Sequence, residues 1–265
     1  LGLDAAQCTQ ALGLATSRAS GLKSQFGTMG KPMNAGIAAS NGVEAALLAR
    51  AGFVSNPNAL DGAQGFGQTH AGVADPSAFD GLGEDWLFES VSHKFHACCH
   101  GLHAMLEALG DIRVDLAPAD VTSVHITTHP RWQSVCNIAD PKSGMECKFS
   151  YRQTAAMALT GMDTAALAVF SDATARDQRL VALRQRVHVN FSEDISETAA
   201  CVRVDLSNAD PRLSQHDLQG VMPFEQRKSR LLGKATALVG NDQSGALWGG
   251  DKWRRRTGYQ TADGT

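Results

Sequence analysis

Apolar side chains recur at helical spacing through LDAAQCTQALGLATSRASGL (3–22), and Gly21 suits the stop. After the loop QFGTMGKP comes an alanine-rich run, NAGIAASNGVEAALLARAGF. There Ile37, Ala38, Val43, Ala46, Leu47 and Ala49 predict a tightly packed helix, with Gly52 as its C-terminal cap. Residues 54–83 are loop-rich, with a short helix predicted over Pro76–Gly81. The period changes after Gly110. VTSVHITTH (121–129), VHVNF (187–191) and ACVRVDL (200–206) alternate as strands do, whereas SYRQTAAMALTG (150–161) and DTAALAVF (163–170) read as helices. From Asp217 onward helix returns in FEQRKSRLLGKATALVG, ahead of a polar tail with Trp and Arg. The pattern predicts a helical part, an α+β part with three or four strands, and a terminal helical segment.

Composition narrows the function classes. The 265 residues carry a net charge of -3, and the pI is near 6.3. Neither gives the basic footprint that nucleic acid or an anionic membrane requires. No window approaches ~18 uninterrupted apolar residues, so no membrane-spanning helix is expected. The opening LGLDAAQCTQ lacks a starting Met and the layout of a signal peptide, and it reads as a piece of a longer chain. Six cysteines without C-x-x-C pairing suit reduced thiols in a cytoplasmic protein.

Three stretches carry candidate chemistry. In FGTMGKPMNAG (26–36), a nucleotide-binding phosphate loop would need Gly at 25 and Ser or Thr at 32; the chain has Gln25 and Pro32. What remains is a helix start where free amides, Lys31 and Thr28 would hold a carboxylate, or a plain helix start with a solvated lysine. The stretch SHKFHACCHGLHAMLEALG (92–110) would place His96, His100 and His103 on one helix face, with Lys94 ahead of its N-terminus. Acid/base work, hydrogen-bonded structural histidines and a metal site are the three readings, but H-E-x-x-H is absent. In MECKFSYRQTAAMALTG (145–161), Lys148, Ser150, Tyr151 and Arg152 gather where a helix begins, with Ser150 as N-cap. Either this is a capped, packed helix, or it is a third lysine-bearing helix start facing an anion.

These segments resemble the MmgE/PrpD family, whose members include 2-methylcitrate dehydratase, cis-aconitate decarboxylase and iminodisuccinate epimerase. The similarity is carried by FGTMGKPMNAGIAASNGVEAALLARAGF, KFHACCHGLHAMLEAL and CKFSYRQTAAMALTG, in that order, over residues 1 to about 240. The resemblance implies a multihelical domain (1–92 being its C-terminal part), a smaller α+β lid domain (93–215), and a C-terminal segment (216–265) returning to the helical part. It implies a cytoplasmic homodimer without metal or organic cofactor, a lyase or isomerase acting next to a carboxylate of a small di- or tricarboxylic acid. A dehydratase is the form expected, and a catalytically inactive polycarboxylate-binding or dimerisation scaffold is the alternative, with a metal-binding protein third. A helical N-terminal portion of the family is expected ahead of Leu1. Lys31 and Lys94 match family lysines, and His103 matches the histidine of a Thr-His pair that here reads Leu102-His103. Cys99 stands where parts of the family have a catalytic histidine, with His100 directly after it, and Asn34 replaces another histidine. The expected catalytic set is Lys31, Lys94, His100 and His103; the expected substrate contacts are Thr28, Asn34, Cys99, Lys148, Ser150 and Tyr151.

Overall fold

A computed structural model describes residues 1–248 except 71, 74 and 115. The predicted Trp- and Arg-containing tail lies outside the described residues. The chain divides into two compact units, the first ending at Val91 and the second beginning at Ser92.

The first unit is built on two helices, α1 (Ala5–Thr16) and α2 (Gly30–Arg50). Asp4 opens α1 with a capping box: its carboxylate accepts from the Gln7 amide at 2.8 Å, and Gln7 reaches back to the Asp4 amide. Gly13 is buried because Ser55 crosses it. A Cβ there would lie 2.5 Å from the Ser55 hydroxyl, which donates to the Gln10 carbonyl. As expected, α2 ends against Gly52 at φ 88°, a left-handed cap conformation that favours glycine. The first helix stops earlier than its sequence suggests, at Thr16, whose hydroxyl bonds back to the Gly13 carbonyl. Much of the apolar run on α2 is solvent-exposed in this unit, including Met33 and Val43.

The second unit is a two-layer α+β arrangement. Strands β1 (Val121–Thr128), β2 (Val187–Phe191), β3 (Ala199–Leu206) and β4 (Arg212–Asp217) form one sheet in the order β2-β1-β3-β4. The β1–β2 pair is parallel and the other two are antiparallel. Parallel pairing needs a long crossover, and the helices between β1 and β2 supply it: α4 (Tyr151–Leu159), α5 (Asp172–Arg176) and α6 (Gln178–Arg184). Helix α3 (His103–Ile112) precedes β1 and packs over β3 and β4, while α4 packs on α3, α6 and β2. Alternation in the strands puts Val124 and Ile126 with Val202 and Val204 under these helices, and a register shift between Val121 and Ser123 brings Val121 into the same core. The opposite sheet face is polar, with His125 and His188 stacked at 5.1 Å.

One predicted helix is replaced by turns. Residues 163–170 form turns and a single 3-10 turn, Leu167–Val169, not a helix. Asp163 bonds the Ala165 amide, and the Thr164 carbonyl accepts from Ala97, so local capping and a tertiary contact outweigh helical propensity. Helices α5 and α6 were not read from the pattern, although Ser171 and Asp177 cap them. Beyond β4, α7 (Phe224–Val239) and α8 (Asn241–Trp248) follow. Side chains of α7 are held within the second unit, by Glu107 on Arg230 and by the Ala165 carbonyl on Lys234. Among the described residues no helix is long and apolar enough to cross a membrane.

One close approach fixes the entry to α3. A Cβ on Gly101 would lie 2.4 Å from the Trp132 ring and 3.1 Å from the Cys136 sulfur. The Gly101 carbonyl accepts the Tyr151 hydroxyl at 2.7 Å. Gly101→Ala is therefore expected to destabilise the unit by about 1–3 kcal/mol, read as a lower urea midpoint. An unchanged midpoint would mean that Trp132 moves aside freely.

Candidate active site

The segment 92–102 is not the helix its histidine spacing suggests. Residues 91–95 have no regular secondary structure, a 3-10 turn covers His100–Leu102, and α3 begins only at His103. Lys94 therefore lies ahead of any helix rather than at a helix start. The three imidazoles meet nonetheless. The His103 ring sits 5.0 Å from that of His96 and 5.1 Å from that of His100.

Their environments separate them. His96 is tied down on both sides, by Glu107 at 2.9 Å and by the Thr164 hydroxyl at 2.6 Å. With an ionised carboxylate as the only possible acceptor there, Nε2 of His96 donates to Glu107. Glu107 also takes Arg230 from α7 in a two-point pair. Burial tends to raise its carboxyl, but the hydrogen bonds from His96 and Arg230 outweigh that and hold it at about 2. Arg230 stacks over Phe95 at 4.2 Å. His103 is fully buried, and neither ring nitrogen has a hydrogen-bond partner among the described residues. Burial, with repulsion from His96, His100 and Lys94, pushes it down to about 2, so it is neutral. His100 is half-buried, with Ser92 at 3.1 Å from Nε2; burial and then Lys94 lower its pKa.

A sign follows for acid stability. Unfolded, His103 binds a proton near pH 6.5; folded, it does so only near 2. Between those values the unfolded state holds the extra proton, so stability is complete above pH 6.5 and falls as pH drops. The slope is about 1.4 kcal/mol per pH unit for this residue. His100 acts in the same direction. Urea midpoints at neutral and mildly acid pH should therefore diverge more in the native chain than in His103→Leu; equal divergence would refute the assignment.

Around these rings lies positive charge. The Lys94 ammonium donates to the Cys98 carbonyl at 3.3 Å. The Cys99 amide donates to the Lys148 carbonyl at 3.0 Å, joining the second and third sequence stretches. Lys148 itself follows a short helical turn, Gly144–Cys147, with its ammonium 5.6 Å from the centre of the Phe170 ring. Lys234 comes from α7; burial lowers its pKa, and Lys94 and Lys148 push it the same way. Cys98 is pushed up to about 12 by burial, so its thiol stays protonated despite these lysines. Cys99 hydrogen-bonds Cys136, and that bond, followed by burial, raises the Cys136 thiol.

Two of the expected substrate contacts are buried in the packing of α4. Ser150 caps α4, accepting from the Gln153 amide at 3.1 Å, and is fully buried. Tyr151 is equally buried, with its hydroxyl between the Gly101 carbonyl and Thr128. In the first unit Lys31 is exposed, and its ammonium has no partner among the described residues. The expected free amides at the start of α2 are not free. Gly30 donates to the Thr28 hydroxyl, Lys31 to the Thr28 carbonyl and Met33 to the Met29 carbonyl, while Pro32 has no N–H. Asn34 donates to the Leu22 carbonyl at 3.3 Å.

Glu107, Arg230 and Lys234 were not among the residues singled out from sequence. Arg230 and Lys234, four apart on α7, share one face, and that basic stripe was the available signal. No group of three or more His, Cys, Asp or Glu among the described residues is placed to hold a metal ion.

Residues 1–78 match the MmgE/PrpD N-terminal domain, and residues 96–217 match the MmgE/PrpD C-terminal domain. The chain belongs to the MmgE/PrpD family. It is 31% identical over 171 residues to a cis-aconitate decarboxylase of Homo sapiens, covering 61% of this chain and 35% of that protein. To a protein of the same name from Mus musculus it is 30% identical over 169 residues, 60% of this chain and 34% of the relative. A cis-aconitate decarboxylase of Aspergillus terreus is 33% identical over 124 residues, 43% of this chain and 25% of the relative. The chain thus spans about a third of the mammalian relatives and a quarter of the fungal one.

Proposed function

We propose that this MmgE/PrpD chain carries the carboxylate-holding and proton-handling part of a cofactor-independent lyase. Its substrate would be a small di- or tricarboxylic acid, cleaved at the carbon next to a carboxylate. The observation that supports this most is the cationic surrounding of Cys98–His100, where Lys94, Lys148 and Lys234 bear on one another beside a half-buried imidazole. Loss of a proton or of CO₂ next to a carboxylate builds up negative charge, and fixed cations lower that barrier. His100 is the imidazole we assign to proton transfer, because it is neutral at pH 7 and only half-buried. His103, sealed and neutral, packs behind it. Lys31, with its unpaired ammonium, is the carboxylate contact proposed for the first unit.

The leaving group is water if the reaction is the dehydration of a 2-methylcitrate-like acid, and CO₂ if it is the one named for the mammalian and fungal relatives. Incubating the full-length protein separately with 2-methylcitrate and cis-aconitate, and following products by NMR, tests the proposal. Turnover of either supports a lyase, and no turnover of either overturns it. A non-catalytic polycarboxylate-binding scaffold is favoured by Cys99 at a family histidine position and by the sealed His103. Calorimetric binding without any turnover selects that reading.

A further inference from the structure

The second unit holds a cavity of about 470 Å³ on the crossover side of the sheet, between the 139–142 loop and helices α4, α5 and α6. It shares no lining residue with the Lys94–His100 region. Lys142, Arg152, Arg176 and Arg184 line it, and Asp140 is its one carboxylate. That carboxylate is already shared by Lys142 and Arg184. Arg184 is buried and otherwise engaged with Gln153 and the Ala175 carbonyl, both at 2.9 Å, so it braces Asp140.

Arg152 and Arg176 are different. Neither has an acidic partner among the described residues, and the Nε of Arg152 is buried without a hydrogen-bond acceptor. Nearby acids are occupied elsewhere: Glu146 accepts the Lys142 amide, Asp172 the Gly144 amide, and Asp177 pairs with Arg179. The cavity beside His96 shows what a balanced lining looks like, with Glu107, Asp111 and Asp163 facing Arg113 and Arg230.

We propose that the cavity at Arg152 and Arg176 is a binding site for a small multivalent oxyanion. Like charges in a concave, partly desolvated space repel, and an anion relieves that repulsion. Guanidinium groups present paired donors that match carboxylate and phosphoryl oxygens alike, so both sources share the required chemistry. Several excess cations favour a ligand with more than one negative charge over a single carboxylate.

Titration calorimetry with pyrophosphate and with citrate, against a chloride background, tests the site. We expect saturable binding of at least one of them, weakening as salt rises. Arg152→Gln with Arg176→Gln should weaken it about tenfold or more, because charge-assisted hydrogen bonds are lost. Arg176→Gln alone, at an exposed position, should weaken it measurably without altering the urea midpoint. Of the binding that the double variant weakens, tighter binding of pyrophosphate assigns a phosphoryl ligand and tighter binding of citrate a polycarboxylate. Lys94→Met should leave the pyrophosphate affinity unchanged. Loss of pyrophosphate binding in Lys94→Met with retention in the double variant would overturn the proposal, as would absence of any saturable binding that the double variant weakens.

Discussion

Lys94→Met in the full-length protein is expected to lower turnover of a tricarboxylic substrate by about 10²–10³. The reasoning is electrostatic. Bond cleavage next to a carboxylate concentrates charge on that group, and a preorganised ammonium stabilises the transition state more than the ground state. The fold has little invested in this side chain: Lys94 is exposed and makes one hydrogen bond among the described residues, to the Cys98 carbonyl. Its urea midpoint should therefore match that of the native protein. Steady-state kinetics by NMR, paired with unfolding curves, separates lost chemistry from lost structure. Native turnover in the variant would remove the electrostatic basis of the proposed lyase reaction.

Glu107→Ala should produce the largest loss of stability. Its carboxylate is nearly enclosed and answers both His96 and Arg230. Removing one partner of a buried pair leaves uncompensated groups and costs about 3–5 kcal/mol. Arg230 is 30% exposed and can recover some hydration, which places the expected value near the lower end. Because Arg230 joins α7 to α3, the variant should also lose hydrogen-exchange protection along Phe224–Val239. A double-mutant cycle with Arg230→Met should return a coupling of about 1–3 kcal/mol. Zero coupling would show that α7 is held by other contacts.

The acid-stability slope of His103 and this carboxylate network reinforce each other. Glu107 is held at about 2, so its stabilising contribution is present above the ordinary carboxylate range and is lost as pH falls toward 2. His103 begins to act nearer pH 6.5. Mild acid therefore reports on the histidine first, and stronger acid on both.

Much was legible before any coordinates. Period-2 alternation located β1, β2 and β3, because one sheet face must be buried under helices whatever the topology. Gly52 marked the end of α2 and Ser150 the start of α4, since both ends need local backbone chemistry that few residues supply. Resemblance across three motifs led to the family, which residues matched in both of its domains then established.

The site needed the fold. Spacing placed His96, His100 and His103 on one helix, but only His103 is α-helical, with His100 in a 3-10 turn, and the rings meet because residues 92–102 fold back on α3. The imidazoles come within about five ångströms of one another and yet end up half-buried, tethered or sealed, and spacing carries no information about burial. Lys234 and Arg230 reach the same region from more than a hundred residues away. Local pattern, then, determined most of the strands and longer helices and led to the family of this chain, because periodicity and capping act over a few residues. Which cations share a neighbourhood, and which imidazole is open to a proton, were decided by tertiary packing, because desolvation and Coulomb interactions depend on distance through space.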